Sequence, residues 1–472
     1  MKKEWLSISA YLLAAIMIFL GGGFLFYLFH KKVIPINYTI IGLIFLIIMG
    51  IVIYLFQQTK GIIAKVLGLL FSLIFIIAII FGIWAFKTTE RALTEISGSE
   101  QKIDRMLVVV RTDNPATTIS QLAGYRIGRQ EKAHIAATEV VMKTIQEKNN
   151  PEPEWMIYQN IQEEANALLS GEIDAAIYAD GFTPILQESI ENWDEKVRIL
   201  SSEDVQVEAP IQTEHSITEP FCVYLSGIDT EGTVDNAGRS DVNIIAAVNP
   251  NTHSILLVST PRDYYVPIPE ISGEARDKLT HAGIYGPEAS IRTLENLYDT
   301  SIEYYAKLNF TSLVAIVNSL NGIDVNVTQD CSFGVFEFKA GIQHMNGEEA
   351  LAYCRERKSF IDGDLQRGKN QEAVLTAIIQ KCLSPEILFH TNDLISQLEH
   401  TIQTSMPKEN MLQLIQMQIQ DRSGWEIKSM AATGTPDMQP CYSYGITPLS
   451  IVWPDDANIQ ELSQTIKEHQ KQ

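Results

Sequence analysis

The sequence is 472 residues long, enough for two or three domains rather than one core. It carries 57 acidic against 36 basic residues, a formal net charge of −21, which excludes the broad basic footprint of a nucleic-acid binder. A local arginine cluster can still hold phosphate, so the question passes to where the arginines fall.

The apolar content gathers at the amino end. Three long uncharged runs, residues 5–28, 33–59 and 66–86, each reach the ~20 residues that cross a hydrocarbon core of ~30 Å as a helix. A cleaved signal peptide competes for the first run, since Lys2 and Lys3 precede it, but the run is too long and two more follow. Residues 1–92 therefore read as an anchor of three transmembrane helices. Orientation is not set by charge: Lys2, Lys3, Lys60 and Lys65 on one side face Lys31, Lys32, Lys87 and Arg91 on the other. The Gly21–Gly23 cluster reads equally as a close helix contact or as a tolerated flexible point.

Residues 103–206 read as a small α/β accessory domain. Met106–Val110 and Asp174–Ala179 are strand candidates; Ala133–Gln146 and Ile161–Leu169 have helical spacing, the second ended by Gly171. The phrases TISQLAGYRIGRQ and ALLSGEIDAAIYADG resemble one half of a periplasmic solute-binding protein. That likeness is one of fold, with no ligand residues standing out. A polar stretch, Ser201–Glu219, reads as a linker.

Residues 220–383 read as a second α/β domain, a central mixed sheet flanked by helices, which residues 384–472 complete. Strand candidates are Phe221–Ile228, Val242–Val248, Ile255–Ser259 and Ile323–Val327. Helix candidates are Pro287–Tyr298, Thr311–Leu320, Gly347–Cys354 and Leu365–Cys382. Asn346 offers a cap to the third, with Glu348 and Glu349 near the positive end of its dipole. The five cysteines form no C-x-x-C pair, so a zinc or thioredoxin-type site has no support, and one disulfide, such as Cys331 with Cys441, stays open.

Polar residues gather at the strand ends. Asp229 closes the first strand; Arg239 and Asp241, two apart in GRSD, share a side if the chain is extended there. Arg262 and Asp263 follow the third strand, at the kind of edge where α/β folds bind ligands. A second cluster, YCRERKSFIDGDLQRGKNQ, supplies Arg355, Arg357, Asp364, Arg367 and Gln371. Arg355 and Arg357 converge only if their helix ends near Cys354, whereas Arg367 and Gln371 are i, i+4 and share a face. Several arginines on one spot call for a multiply charged anion, and pyrophosphate matches the guanidinium fork. Aspartates beside that anion call for a hard cation such as Mg²⁺. Those parts suit phosphoryl transfer. Each residue also has a plain alternative as a surface ion pair or, for Asp364, a helix cap.

With those motifs in place, the chain resembles the LytR–CpsA–Psr family of wall-polymer ligases over about residues 221–381. The matching elements are Gly227 and Asp229, Arg239-Ser240-Asp241, Pro261-Arg262-Asp263, Arg355 and Arg357, and Asp364, Arg367 and Gln371. Three spans and a small domain before the catalytic one look like the capsule-linked branch. The resemblance implies that Asp229 and Asp241 bind Mg²⁺ or Mn²⁺. It implies that Arg239, Arg262, Arg355, Arg357, Arg367 and Gln371 hold the pyrophosphate of a polyprenyl-linked polysaccharide. Asp229, Asp241, Arg262 and Asp364 would carry the chemistry, with the lipid in an apolar tunnel. The implied acceptor is a peptidoglycan hydroxyl, giving a phosphodiester for a capsular or teichoic-acid polymer, with capsule-assembly proteins as further partners. The implied location is the cell membrane, multi-pass, with the soluble domains outside. Two other readings use the same features: a lipid-ligand sensor or transcriptional attenuator, and a lipid pyrophosphate hydrolase. Gln366 and Asn370 stand where the family commonly has glycine and arginine. Lys278 and His281 lie between the clusters, the histidine more often structural than catalytic at such a place.

Overall fold

The computed structural model describes residues 2–97, 101–208, 215–228, 238–360, 363–382, 402–420 and 424–471. Among the described residues it divides into two units, one built on residues 2–94 with 407–420, the other holding the rest.

In the first unit, α1 (Lys2–His30), α2 (Ile36–Gln58) and α3 (Ile62–Ile96) are each long and apolar enough to cross a membrane. The second begins after Pro35, whose ring sits at the helix cap rather than inside the helix. The third continues ten residues past Phe86, because the charged stretch Lys87–Ile96 contains no Gly or Pro to stop it. Glu90 on that extension binds the Tyr27 hydroxyl at 2.9 Å and Lys31 at 3.3 Å, with Lys408 at 3.8 Å. Lys408 opens the helix Lys408–Gln420, which groups with this unit. Residues 384–472 are expected from the sequence to complete the second α/β domain, and of these the helix Lys408–Gln420 has its contacts with the first unit.

The second unit begins with β1 (Gln101–Arg111), β2 (Arg126–Gln130), α4 (Ile135–Lys148), β3 (Glu154–Tyr158), α5 (Ile161–Ser170) and β4 (Ala175–Ala179). Then come α6 (Thr183–Ser189), α7 (Trp193–Lys196) and β5 (Val197–Glu208). The sheet order is β3-β2-β4-β1-β5, with β2 parallel to both neighbours and β1 antiparallel to both of its own. Asn160 caps α5 by accepting from the Glu163 amide, and Gly171 at φ +81° closes it. Residues 201–208 differ from the expected linker. They extend β5 along β1, and their sparse apolar side chains (Val205, Val207) mark an edge strand rather than a loop.

A second sheet follows with β6 (Phe221–Ile228), β7 (Ser240–Asn249) and β8 (Ser254–Ser259), then a small ribbon of β9 (Tyr265–Pro267) and β10 (Arg276–Lys278). After α8 (Leu279–Ala282) and α9 (Pro287–Tyr298), β11 (Tyr304–Asn309) returns to the sheet and α10 (Phe310–Ser319) leaves it. Outside the sheet lie β12 (Ile323–Val327), β13 (Cys331–Phe333), β14 (Phe336–Phe338) and β15 (Gly341–Met345). Then come α11 (Gly347–Arg355), α12 (Gly363–Cys382), β16 (Ile402–Thr404), β17 (Glu426–Ala431), β18 (Gly434–Cys441) and β19 (Gly445–Pro454), before a final helix Asp456–Lys471. The sheet order is β16-β11-β6-β7-β8-β17, with parallel pairs at β6–β11 and β8–β17 and antiparallel pairs elsewhere. This is a mixed sheet.

One face packs Tyr224, Ile245 and Leu256 with Leu294 of α9 and Leu462 and Ile466 of the final helix. On the other, Ile244, Ala246 and Leu257 meet Leu375 and Ile379 of α12. All five cysteines are free thiols, so the Cys331–Cys441 bridge does not form.

Candidate active site

The carboxyl ends of β6 and β8 and the start of β7 lie together, since Ile228 pairs with Ser240 and Ser259 with Ile244. Asp241 therefore stands beside the loop that carries Arg262. The Arg262 guanidinium donates to Asp241 Oδ1 at 2.8 Å, and the Thr280 hydroxyl reaches the same oxygen at 3.5 Å. Asp263 is 3.8 Å from Arg262 Nε and 3.0 Å from Lys278 Nζ. Lys278, Asp263, Arg262 and Asp241 thus form an alternating row of charges, all largely shielded from solvent. Such a row holds the Asp241 carboxylate in one orientation.

Gly283 fixes the backbone of this limb from behind. A Cβ there would come within 2.7 Å of the Gly238 carbonyl and 2.8 Å of the Ser240 amide, so only glycine allows the approach. Ser240 is fully buried, its hydroxyl within hydrogen-bond reach of Tyr224, Ser226 and Asn243.

The second limb comes from α11. Asn346 and Glu349 form a reciprocal capping box at its start (3.0 and 2.9 Å). The helix stops at Arg355, and Glu356 turns to extended backbone (φ −69°, ψ 126°). That ending lets Arg355 and Arg357 approach one pocket. Helix α12 closes against the same loop: a Cβ on Gly363 would meet the Arg357 carbonyl at 2.9 Å. Arg367 and Gln371 follow one turn apart on α12, and the Gln371 amide donates to the Cys354 carbonyl at 3.5 Å.

Together these pieces line a cavity of about 710 Å³ that contains Asp241, Arg355, Arg357, Arg367 and Gln371. Its rim includes Phe333 and Gly334 from the turn between β13 and β14. Cys354 also lines it, but burial pushes its thiol up to about 12, which removes it as a nucleophile near neutral pH. Three arginines on one concave surface favour a multiply charged anion.

Other residues named from the sequence are placed differently. Arg239 does not line the cavity; both its terminal nitrogens are taken by Glu188 of the accessory domain, at 2.9 and 2.7 Å. Arg262 is turned onto Asp241 and is not among the lining residues. Asp229 and the Asp364 side chain lie outside the described residues. His281 is buried with its Nδ1 2.6 Å from Asp277. Burial alone would raise the Asp277 carboxyl, but His281 and the Ser443 hydroxyl and amide outweigh it and hold it below the usual range. That pair is a structural clasp, away from the cavity. Asn370 is almost fully buried, donating to the Tyr353 carbonyl and accepting from Gln366. Both unusual positions thus face the packing side of α12.

Among the described residues no group of three or more His, Cys, Asp or Glu forms a ready metal cage. Asp241 Oδ1 already accepts from Arg262 and Thr280, so the chemistry left there for a hard cation is the second carboxylate oxygen, facing a cavity that substrate and water would share.

A cavity lined by arginines beside an ordered carboxylate has the chemistry to hold an anion such as phosphate. Residues 188–455 match the LytR_cpsA_psr family model, and the chain belongs to that family. It is 35% identical over 231 residues to the polyisoprenyl-teichoic acid–peptidoglycan teichoic acid transferase TagU of Enterococcus faecalis, covering 48% of this chain and 74% of that one. It is also 35% identical over 209 residues to the corresponding transferase TagT of Bacillus subtilis, covering 42% and 63%. Among solved structures, B. subtilis TagV aligns with TM-score 0.46 and 26% identity over 54% of this chain and 98% of that one. TagT bound to LIIa-WTA aligns with TM-score 0.43 and 28% identity over 54% and 92%.

Proposed function

We propose that this protein transfers a polyprenyl-pyrophosphate-linked glycopolymer to peptidoglycan, releasing polyprenyl phosphate and leaving a phosphodiester. The observation that carries the reading is the cavity where Arg355, Arg357, Arg367 and Gln371 meet Asp241, in a chain related to named teichoic acid transferases.

The arginines bind the diphosphate and offset the negative charge that builds on its oxygens as the bond breaks. The acceptor hydroxyl attacks the phosphorus that bears the sugar. The P–O bond to the prenyl phosphate breaks, and the electron pair leaves with that phosphate. The hydroxyl proton passes to a carboxylate, for which Asp229, Asp241 and Asp364 are the candidates. Magnesium held by Asp241, with Asp229, would neutralise phosphate charge when bound. The prenyl chain would enter an apolar tunnel within the domain, as the family resemblance implies. The three spans keep the enzyme at the membrane that holds its lipid substrate, with the soluble domains on the outer side.

The test uses purified full-length protein with a lipid-pyrophosphate-linked sugar chain, Mg²⁺ and peptidoglycan fragments. Mass spectrometry should find polymer joined to peptidoglycan through phosphate. Free phosphorylated polymer as the sole product would identify a hydrolase instead.

A further inference from the structure

The accessory domain presents three parallel strands, β2, β3 and β4, whose carboxyl ends open on one edge of its sheet. In open α/β sheets that edge is where ligands bind. In this chain it is occupied by the catalytic domain. After β2, His134 places Nε2 2.9 Å from the Ile284 carbonyl and Nδ1 2.8 Å from Asp104. After β3, the Gln159 carbonyl accepts from the Tyr442 hydroxyl at 2.5 Å. After β4, Phe182 meets Tyr285 edge-on with 5.3 Å between ring centroids. The next helix, α6, carries Glu188, which takes the whole fork of Arg239.

A guanidinium fork fits a carboxylate and a phosphate in the same bidentate way, so the two anions compete for it. Asp241, two residues past Arg239, is the extra residue of a β-bulge, with Ile228 paired to Ser240 and Gly227 to Val242, and it lines the arginine cavity. Between them Ser240 is fully buried and fixed by hydrogen bonds, so the Arg239 side chain can turn without moving the strand. The Glu188 side chain is half exposed, at 52%, and can be released to water at small cost.

We propose that Glu188 is the resting counter-ion of Arg239, displaced when the diphosphate of a lipid-linked substrate enters, so that the accessory domain sets the affinity of the site. The proposal rests on the transferase reading above. It gives the accessory domain a task in the reaction itself: a built-in competitor that favours ligands with enough phosphate charge to remove it.

The experiment measures binding of geranylgeranyl diphosphate with Mg²⁺ to the full-length protein in detergent. Wild type is compared with Glu188→Gln, Glu188→Ala, Arg239→Ala, the Glu188→Gln/Arg239→Ala double variant and Arg357→Ala, with thermal melting to check folding. Glu188→Gln should bind roughly twofold to fivefold more tightly, the range of a part-exposed ion pair. KM for transfer should fall alongside with kcat little changed, and the gain should vanish in the Arg239→Ala background. Unchanged or weaker binding in both folded Glu188 variants would overturn the proposal, as would a gain that persists without Arg239. Arg357→Ala reports on the underlying reading: diphosphate binding as tight as wild type there would sink the phosphate site whatever Glu188 does.

Discussion

Arg357, exposed in the loop that follows α11, lines the cavity together with Arg355 and Arg367. Arg357→Ala should lower kcat for transfer by about 100-fold, the usual cost of deleting one charge-stabilising donor. Lysine should restore little, because a point charge cannot make the bidentate contact. A steady-state assay showing near-normal turnover in Arg357→Ala would remove this residue from the reaction. At Asn370 the expectation is one of stability. Its amide sits between the Tyr353 carbonyl and Gln366 in a buried position, so Asn370→Ala should cost about 1–3 kcal/mol by stranding those groups. Restoring the arginine common in the family should lower the melting temperature further, since a charge would enter the packing face of α12. The sequence placed Arg355, Arg357, Arg367 and Gln371 near one another because a helix end and an i, i+4 pair are local signals. It also named Arg239, but nothing local announces that residue's partner. Glu188 lies 51 positions away in a different sheet system, and only the assembled fold brings the two together.

At the scale of elements, α5 carries an acid where amphipathic spacing leads one to expect an apolar residue. Glu164 is fully buried; one oxygen accepts from the Ile177 amide at 3.1 Å and the other has no hydrogen-bond partner. Burial pushes its carboxyl up from 4.5 to about 8, with the Ile177 amide and Arg129 opposing. The sign follows from proton counts. Below pH 4.5 the folded and unfolded chains both hold the proton; between 4.5 and about 8 only the folded chain does, so stability falls as pH rises across that window. Glu164→Gln should therefore raise the melting temperature little at pH 4.5 and progressively more up to pH 8. A constant difference across that range would show that ionisation is not the cause. The helix α11 offers a second test: Asn346→Ala removes the capping box, should cost about 1 kcal/mol, and should loosen the Arg355 end enough to raise KM. The core strands β6, β7 and β8 were legible as apolar runs between turns. By contrast β11, with Lys307 buried in it, and β5, with few apolar residues, were not, because their burial comes from neighbours and not from composition.

Across the whole second unit, accessory and catalytic parts share one apolar cluster. Ile284, Cys441, Tyr444 and Ile451 pack with Val109, Ile127, Leu168 and Phe182. Two separate folding units would melt separately; a shared core predicts one transition. Ile284→Ala should cost about 2–4 kcal/mol and lower amide-exchange protection in both sheets together. Loss of protection confined to the catalytic sheet would refute the shared core. The free thiols fit the same picture, since stability drawn from that core owes nothing to a disulfide, and a reducing agent should leave the melting temperature unchanged.

The third membrane helix has 35 residues, which at 1.5 Å each is about 52 Å of rod against a hydrocarbon core of about 30 Å. Its surplus turns carry Lys87, Glu90 and Arg91, which belong in water, and Glu90 is tied to the end of α1 through Tyr27 and Lys31. The end of α3 is thus a braced post within its own unit. A post has a length and a phase: removing one residue from the turns after Phe86 would shorten the helix by about 1.5 Å and turn its own remaining residues by about 100°.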